Sequence, residues 1–145
     1  MQRAEVIPSI VLSAHALARI AAQDAGSEAP AAQWRVLSLL EHRTGMRIGE
    51  LARAARTTQP GMTRLIGDLE RAGLVRRGTD AADSRATLVS LTEHGLESLT
   101  AWRAEFRDTL APRFSDLTDR DWEALETAAR LLATHATEKE TGEDE

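Results

Sequence analysis

Residues 57–77 read TTQPGMTRLIGDLERAGLVRR, and the fold turns on that stretch. Its opening is small and polar, its middle is amphipathic at helical spacing, and it closes on Gly73, Leu74 and the pair Arg76 and Arg77. Thr57 or Thr58 can cap a helix here, because a hydroxyl accepts an orphan backbone N–H of the first turn. Gly73 stands where a left-handed residue ends a helix, with Leu74 as the hydrophobic contact behind it. Projecting the helix at about 100° per residue from Leu69 sets Thr58, Met62, Leu65, Ile66 and Ala72 inward. Pro60, Thr63, Arg64, Gly67 and Arg71 fall on the opposite face, which therefore holds no large apolar group. Pro60 and Gly61 are poor helix formers, so a helix serving packing alone gains nothing by opening on them.

The neighbouring segments place this helix. Upstream, Ile7, Ile10, Val11, Ala14, Leu17, Ala18 and Ala21 recur at helical spacing and predict a helix over 6–23, broken by Gly26 and Ser27. A second helix runs from Pro30 to Arg43 with Trp34, Leu37, Leu40 and Val36 as its apolar stripe; proline suits a first turn. A third, Ile48 to Ala55, buries Ile48, Leu51, Ala52 and Ala55 and joins the quoted helix through a short turn. Downstream, Leu74–Arg77 and Thr87–Leu91 are β-prone runs around a polar loop, which predicts a two-stranded hairpin. Thr92 and Glu93 open a fifth helix carrying Leu96, Leu99, Phe106 and Leu110. Thr118 caps a sixth, in which Trp122, Leu125, Ala129, Leu132 and Ala136 form a heptad-like seam. That seam serves either as core within the chain or as a surface for a second copy. The tail 138–145 is acidic, without apolar anchors, and reads as disordered.

Two helices joined by a short turn and followed by a hairpin make a winged helix-turn-helix. The fold class expected is mainly α with a small β-hairpin wing. A face of Thr57, Thr58, Gln59, Pro60, Gly61, Thr63, Arg64 and Arg71 suits a DNA major groove: small residues admit the backbone closely, Thr63 can bond a phosphate or base edge, and Arg64 can pair with guanine or a phosphate. The N–H groups of the first turn favour phosphate. Arg76 and Arg77 lie on the first wing strand, and Arg85 at the tip can enter a minor groove. Asp83 cannot attract DNA; its use is to hold Arg85 or shape the tip. Charge agrees with this reading. The chain carries net −5, but residues 43–85 alone carry +4 between flanks of −1 and −8.

The same sequence excludes other classes. There is no cysteine, hence no disulfide and no thiolate metal site. His15, His42, His94 and His135 lack metal-ligand spacing, no nucleophile context surrounds a serine, and neither an enzyme, a metal nor a cofactor is expected. No unbroken apolar run approaches the roughly 18–20 residues of a membrane span, and the N-terminus lacks the features of a secretory signal. The expected location is the cytoplasm, with no membrane partner.

The stretches AAQWRVLSLLEHR, RIGELARAARTTQPGMTRLIGDLERAGLVRR and DAADSRATLVSLTEHG together resemble the MarR family of bacterial transcriptional regulators, over about residues 7–137. The most telling is the last, similar to the family's Asp-x-Arg wing and Leu-Thr-x-x-Gly in Asp83, Arg85, Leu91, Thr92 and Gly95. The resemblance implies a single domain over 1–137. Residues 30–92 would read double-stranded DNA, and 6–23 with 93–137 would form a dimerisation lobe. It implies a homodimer on a pseudo-palindromic operator, usually a repressor, and in many members release by a small aromatic or anionic effector. Trp34 and His15 are the candidate effector contacts. Ala81, Ala82 and Ser84 make the wing plainer than the fullest family pattern, which puts more weight on Arg76, Arg77 and Arg85. The competing reading is a dimeric winged-helix interaction module without specific DNA binding, since a fold does not fix a function.

Overall fold

The computed structural model describes residues 1–24 and 31–136. The expected break at Gly26 and Ser27, the proline start at Pro30 and the acidic tail 138–145 lie outside the described residues. In order come α1 (Arg3–Asp24), α2 (Ala31–His42), β1 (Met46–Arg47), α3 (Ile48–Ala54), α4 (Gln59–Arg71), β2 (Val75–Thr79), β3 (Thr87–Leu91), α5 (Glu93–Leu110), a 3-10 turn (Ala111–Phe114) and α6 (Asp119–Ala136). The chain forms two compact units, Met1–Thr109 and Leu110–Glu145.

The first unit packs one apolar core. Val36, Leu37 and Leu40 of α2 meet Leu51 and Ala52 of α3, Met62, Ile66 and Leu69 of α4, Val75 and Val89 of the wing, and Leu99 of α5. These are the apolar stripes of amphipathic helices, turned inward because burying a large apolar side chain stabilises by about 1.5–3 kcal/mol. Two residues placed inward by the helical projection, Thr58 and Ala72, are exposed instead. Thr58 has extended backbone (φ −73°, ψ 152°) and Ala72 is the residue just past the helix, so neither obeys the period of α4.

The expected two-stranded hairpin is part of a three-stranded antiparallel sheet of order β1-β3-β2. Met46 pairs with Val89 and Arg47 with Leu88, adding a strand too short to show a period. The wing itself pairs Val75 with Leu91 out to Thr79 with Thr87, so its first strand starts one residue later than Leu74 and runs on past Arg77.

Two joints hold α4, wing and α5 in place. Gly73, at φ +75°, ends α4; its N–H donates to the Glu70 carbonyl and that of Leu74 to the Leu69 carbonyl, both at 2.9 Å. Thr92 then ties the start of α5 back to this cap. Its hydroxyl donates to the Gly73 carbonyl at 2.6 Å and accepts the Gly95 N–H at 2.9 Å, while its own N–H donates to the Leu74 carbonyl at 3.1 Å. Gly95 is buried against that carbonyl so closely that a Cβ there would collide with its oxygen. The Leu-Thr-x-x-Gly pattern is therefore a joint between wing and helix. On the other side of the unit, Arg103 of α5 pairs with Glu41 of α2 at 2.7 Å, and the Arg103 hydrogen bond holds the Glu41 carboxyl below its ordinary range.

α1 reaches a mean hydropathy of 1.3, long and apolar enough for a membrane span by length and composition. It reaches that value through alanines and isoleucines interrupted by Ser9, Ser13, His15 and Arg19, so α1 holds no unbroken apolar run of span length. Ile7, Val11 and Leu12 are 54%, 46% and 70% exposed.

In the second unit α6 opens with a reciprocal cap. The Thr118 N–H and hydroxyl both donate to the Asp121 carboxylate, at 2.9 and 2.6 Å, and the Asp121 N–H returns to the Thr118 hydroxyl at 3.3 Å. Phe114 packs against Trp122, ring centres 6.4 Å apart. No described residue of α6 is buried. Trp122 and Leu125 of the heptad seam are 50% and 45% exposed.

Candidate nucleic-acid interface

The turn leading into α4 is built under strain. Arg56 has φ +50°, the left-handed region, which costs a side-chain-bearing residue about 1–2 kcal/mol. It is held from several sides. The Arg56 N–H donates to the Arg53 carbonyl at 3.1 Å and the Thr57 N–H to the Ala52 carbonyl at 2.9 Å. From α2, the Arg35 guanidinium reaches the Ala55 carbonyl at 3.2 Å. Thr58 then caps α4, its hydroxyl accepting the Gly61 N–H at 3.2 Å. Pro60 follows where no N–H partner is needed. A Cβ on Gly61 would stand 3.0 Å from the Thr58 hydroxyl oxygen and 3.4 Å from that of Thr57, so glycine keeps the cap closed.

Thr57, Thr58, Gln59, Pro60, Gly61, Thr63, Arg64, Arg71, Arg76, Arg77 and Arg85 are all exposed, and Asp83 is half-buried. Their chemistry is less uniform than their exposure. The Thr63 hydroxyl donates to the Gln59 carbonyl at 2.9 Å, so what it offers outward is lone pairs and a methyl group. Arg71 is engaged by Asp68 one turn back, and its guanidinium lies over Gly67. Arg77 sits 3.5 Å from Glu70. Arg64 and Arg76 have no ion-pair or hydrogen-bond partner among the described residues.

At the wing tip Asp83 accepts the Arg85 N–H at 3.0 Å and lies 3.5 Å from its guanidinium. Arg85 remains 92% exposed, so its charge projects while its backbone is pinned. Asp80 pins the other side of the tip. Its carboxylate accepts the Ala82 N–H at 2.9 Å, and Arg47 from β1 reaches it at 2.7 Å. The Ala82 hydrogen bond, then Arg47, hold the Asp80 carboxyl below its ordinary range.

Sequence reasoning places Asp80 in the wing loop without giving it a role, and it passes over Arg47, Arg53 and Arg56. Arg47 and Asp80 bind across 33 residues of chain, and no local pattern announces such a pair. Arg53 and Arg56 are exposed and unpaired among the described residues. The charge excess of 43–85 contains both and is the signal that could have found them. An open hollow of about 320 Å³ brings Arg47, Arg53 and Gln59 together with Ala86 and Thr87 at the start of β3. The start of α4 and the tip end of β3 thus face one depression, lined by Arg47 and Arg53 and also by Glu50.

Trp34 stacks on Trp102 at 5.0 Å and 15°, and Trp102 meets Phe106 at 5.1 Å. The Trp34 indole N–H is buried and has no partner among the described residues. His15 is exposed on α1, and no described contact joins it to Trp34.

A capped helix with a small, hydroxylic and cationic outer face, beside a wing with a projecting arginine, defines a winged helix-turn-helix DNA-binding protein. Residues 30–86 match the family model described as MarR family. The chain is 35% identical over 100 residues to an uncharacterised HTH-type transcriptional regulator of Mycobacterium bovis, covering 69% of this chain and 70% of that one. It is 41% identical over 66 residues to the transcriptional activatory protein BadR of Rhodopseudomonas palustris, covering 43% and 38%. A MarR family protein from Bacillus stearothermophilus shares the fold at a TM-score of 0.75 and 21% identity, over 93% of this chain and 95% of that one. The chain belongs to the MarR family of DNA-binding transcriptional regulators, and it is not an enzyme.

Proposed function

We propose that the chain acts in the cytoplasm as a homodimer that reads a pseudo-palindromic operator, represses the adjoining genes, and is released by a small aromatic or anionic ligand. The observation that carries the DNA reading is the outer face of α4, where Arg64 stands exposed without a partner among small residues. Thr57, Thr58, Gln59, Pro60 and Gly61 let the first turn approach a phosphate. Thr63, its proton spent on Gln59, suits an amino donor or a thymine methyl better than an acceptor-only phosphate. Arg76 and Arg77 flank the backbone from the wing, and Arg85, set by Asp83, enters the minor groove. Arg71, engaged by Asp68, contributes less than Arg64.

Residues 30–92 form the reading lobe; 6–23 and 93–137 form the dimer lobe. The apolar faces that α1 and α6 leave in water support the second assignment, because patches of this kind mark interfaces. The aromatic stack around Trp34 supports an effector site: a buried indole N–H without a partner is costly, and an anionic or carbonyl oxygen would satisfy it. His15 is the weaker contact, for nothing in the fold directs it there. Repression is the usual outcome of a bound operator overlapping a promoter. BadR is a transcriptional activatory protein; the sign of regulation follows from where the site lies relative to a promoter.

Selection from a random-sequence DNA library tests this. Recovery of inverted half-sites with centres about 10 bp apart supports the reading. Recovery of a single half-site removes the homodimer, and no enrichment removes sequence-specific binding.

A further inference from the structure

We propose that Arg47 is a positioning residue for the wing: it clamps Asp80 so that Arg85 is presented in one orientation, and does not itself contact DNA. The inference rests on the DNA-binding reading above and names how its wing is set.

Arg47 occupies the residue before α3, where a short polar side chain would ordinarily cap the helix. It makes no side-chain cap. Its guanidinium instead crosses to Asp80, with Nη2 at 2.7 Å and Nε at 3.2 Å from the same carboxylate oxygen. The other oxygen of Asp80 accepts the Ala82 N–H at 2.9 Å, so one carboxylate holds both the clamp and the first turn of the tip. The Asp80 N–H donates to the Ala86 carbonyl at 3.1 Å, closing the loop, and the Ala86 N–H donates to the Asp83 carbonyl at 3.0 Å. Asp83 in turn fixes the Arg85 backbone. The chain of bonds runs without a gap from the helix-turn-helix to the wing arginine.

The helix-turn-helix end is braced as well. Glu50 of α3 accepts the Arg47 N–H at 3.3 Å and pairs with Arg43 at 2.9 Å. The Asp80 side chain is only 15% exposed, against 92% for Arg85. The carboxylate of the pair is thus sheltered while the tip cation is presented. The Asp80 hydrogen bond raises Arg47 above its ordinary range, and the Ala82 N–H, then Arg47, hold Asp80 below its own.

The test has two arms. In the protein without DNA, backbone order parameters of Ala82, Asp83 and Arg85 are measured in the wild type, Arg47→Ala, Arg47→Lys and Asp80→Asn. The expected result is a fall toward the flexible range, below about 0.6, in Arg47→Ala and Asp80→Asn, with partial recovery in Arg47→Lys. In the second arm, affinity for the selected operator is measured in a double-mutant cycle with Arg85→Ala. Arg47→Ala alone should weaken binding by about tenfold, and should cost nothing further once Arg85 is gone. Unchanged order parameters in Arg47→Ala overturn the clamp. Additive losses in the cycle overturn it too, and make Arg47 a direct DNA contact. If the wild type shows no preferred DNA, the functional reading fails, while the order parameters still decide the clamp.

Discussion

Replacing Gly95 by alanine is expected to destabilise the first unit by about 2–4 kcal/mol. Two effects oppose each other. Alanine in place of glycine inside a helix gains at most about 1 kcal/mol. Against this, the new Cβ would overlap the Leu74 carbonyl oxygen and stand 2.8 Å from Leu91 Cδ1 and 3.0 Å from the Leu74 carbonyl carbon. A backbone carbonyl cannot rotate away as a side chain tip does, so α5 must retreat from the wing. Retreat stretches the Thr92 N–H bond to Leu74 and the Thr92 hydroxyl bond to Gly73, worth about 1 kcal/mol each. Overpacking of a tight core adds about 1–3 kcal/mol. The loss exceeds the gain, and Tm should drop by roughly 5–15 °C. Urea denaturation at fixed protein concentration measures it, since the proposed dimerisation would make stability concentration-dependent. Gly78→Ala is the control: nothing lies within 4 Å of its Cβ position, and its effect should stay within about 0.5 kcal/mol. Equal stability of the Gly95 and Gly78 variants would refute the joint.

Arg64→Ala should cost about 1–3 kcal/mol of specific binding and relax preference at one position of each half-site; an equal loss on every sequence would make it a phosphate contact instead. Arg71→Ala should weaken binding less than Arg64→Ala, because Asp68 already occupies its guanidinium; parity in titrations would contradict that. Asp80, Asp121 and Glu41 all hold folded-state carboxyls below their ordinary range. Their stabilisation is therefore fully present above the unfolded-state values, and it is lost below about 4 as pH falls through the depressed folded-state values; Asp80→Asn should flatten part of that decline in denaturation curves. Leu125→Asp on the exposed α6 seam should give monomers by sedimentation without unfolding the chain, and an unchanged dimer would exclude that face.

The stretch 57–77 was legible because its signals are local. A hydroxyl cap, a helical apolar period and a left-handed glycine each act within one turn, and α4 begins and ends where they say. The strand Thr87–Leu91 was legible for the same reason. The strand Met46–Arg47 was not, since two residues carry no period and their partner lies more than forty residues on. The projection failed at Thr58 and Ala72 because caps leave the helical geometry on which it rests. Among the candidate site residues, position on the outer face could be read but engagement could not. The Asp68–Arg71 pair was visible at spacing i, i+3 and was passed over, whereas Arg47 and Asp80 meet only through the fold. The α6 seam shows a further limit: a heptad tells that a face is apolar, not what covers it.

The central claim is that this chain binds DNA through a cationic reading face, and the salt dependence of operator binding tests it most directly. Arg53, Arg56, Arg64 and Arg76 stand unpaired among the described residues, and Arg85 projects from the tip. If about six to ten of these cations in a dimer meet phosphates, log K should fall against log salt with a slope of roughly −5 to −9. Scrambled DNA should bind far more weakly at each salt concentration. A slope shallower than about −2, or equal affinity for operator and scrambled DNA, would contradict the account.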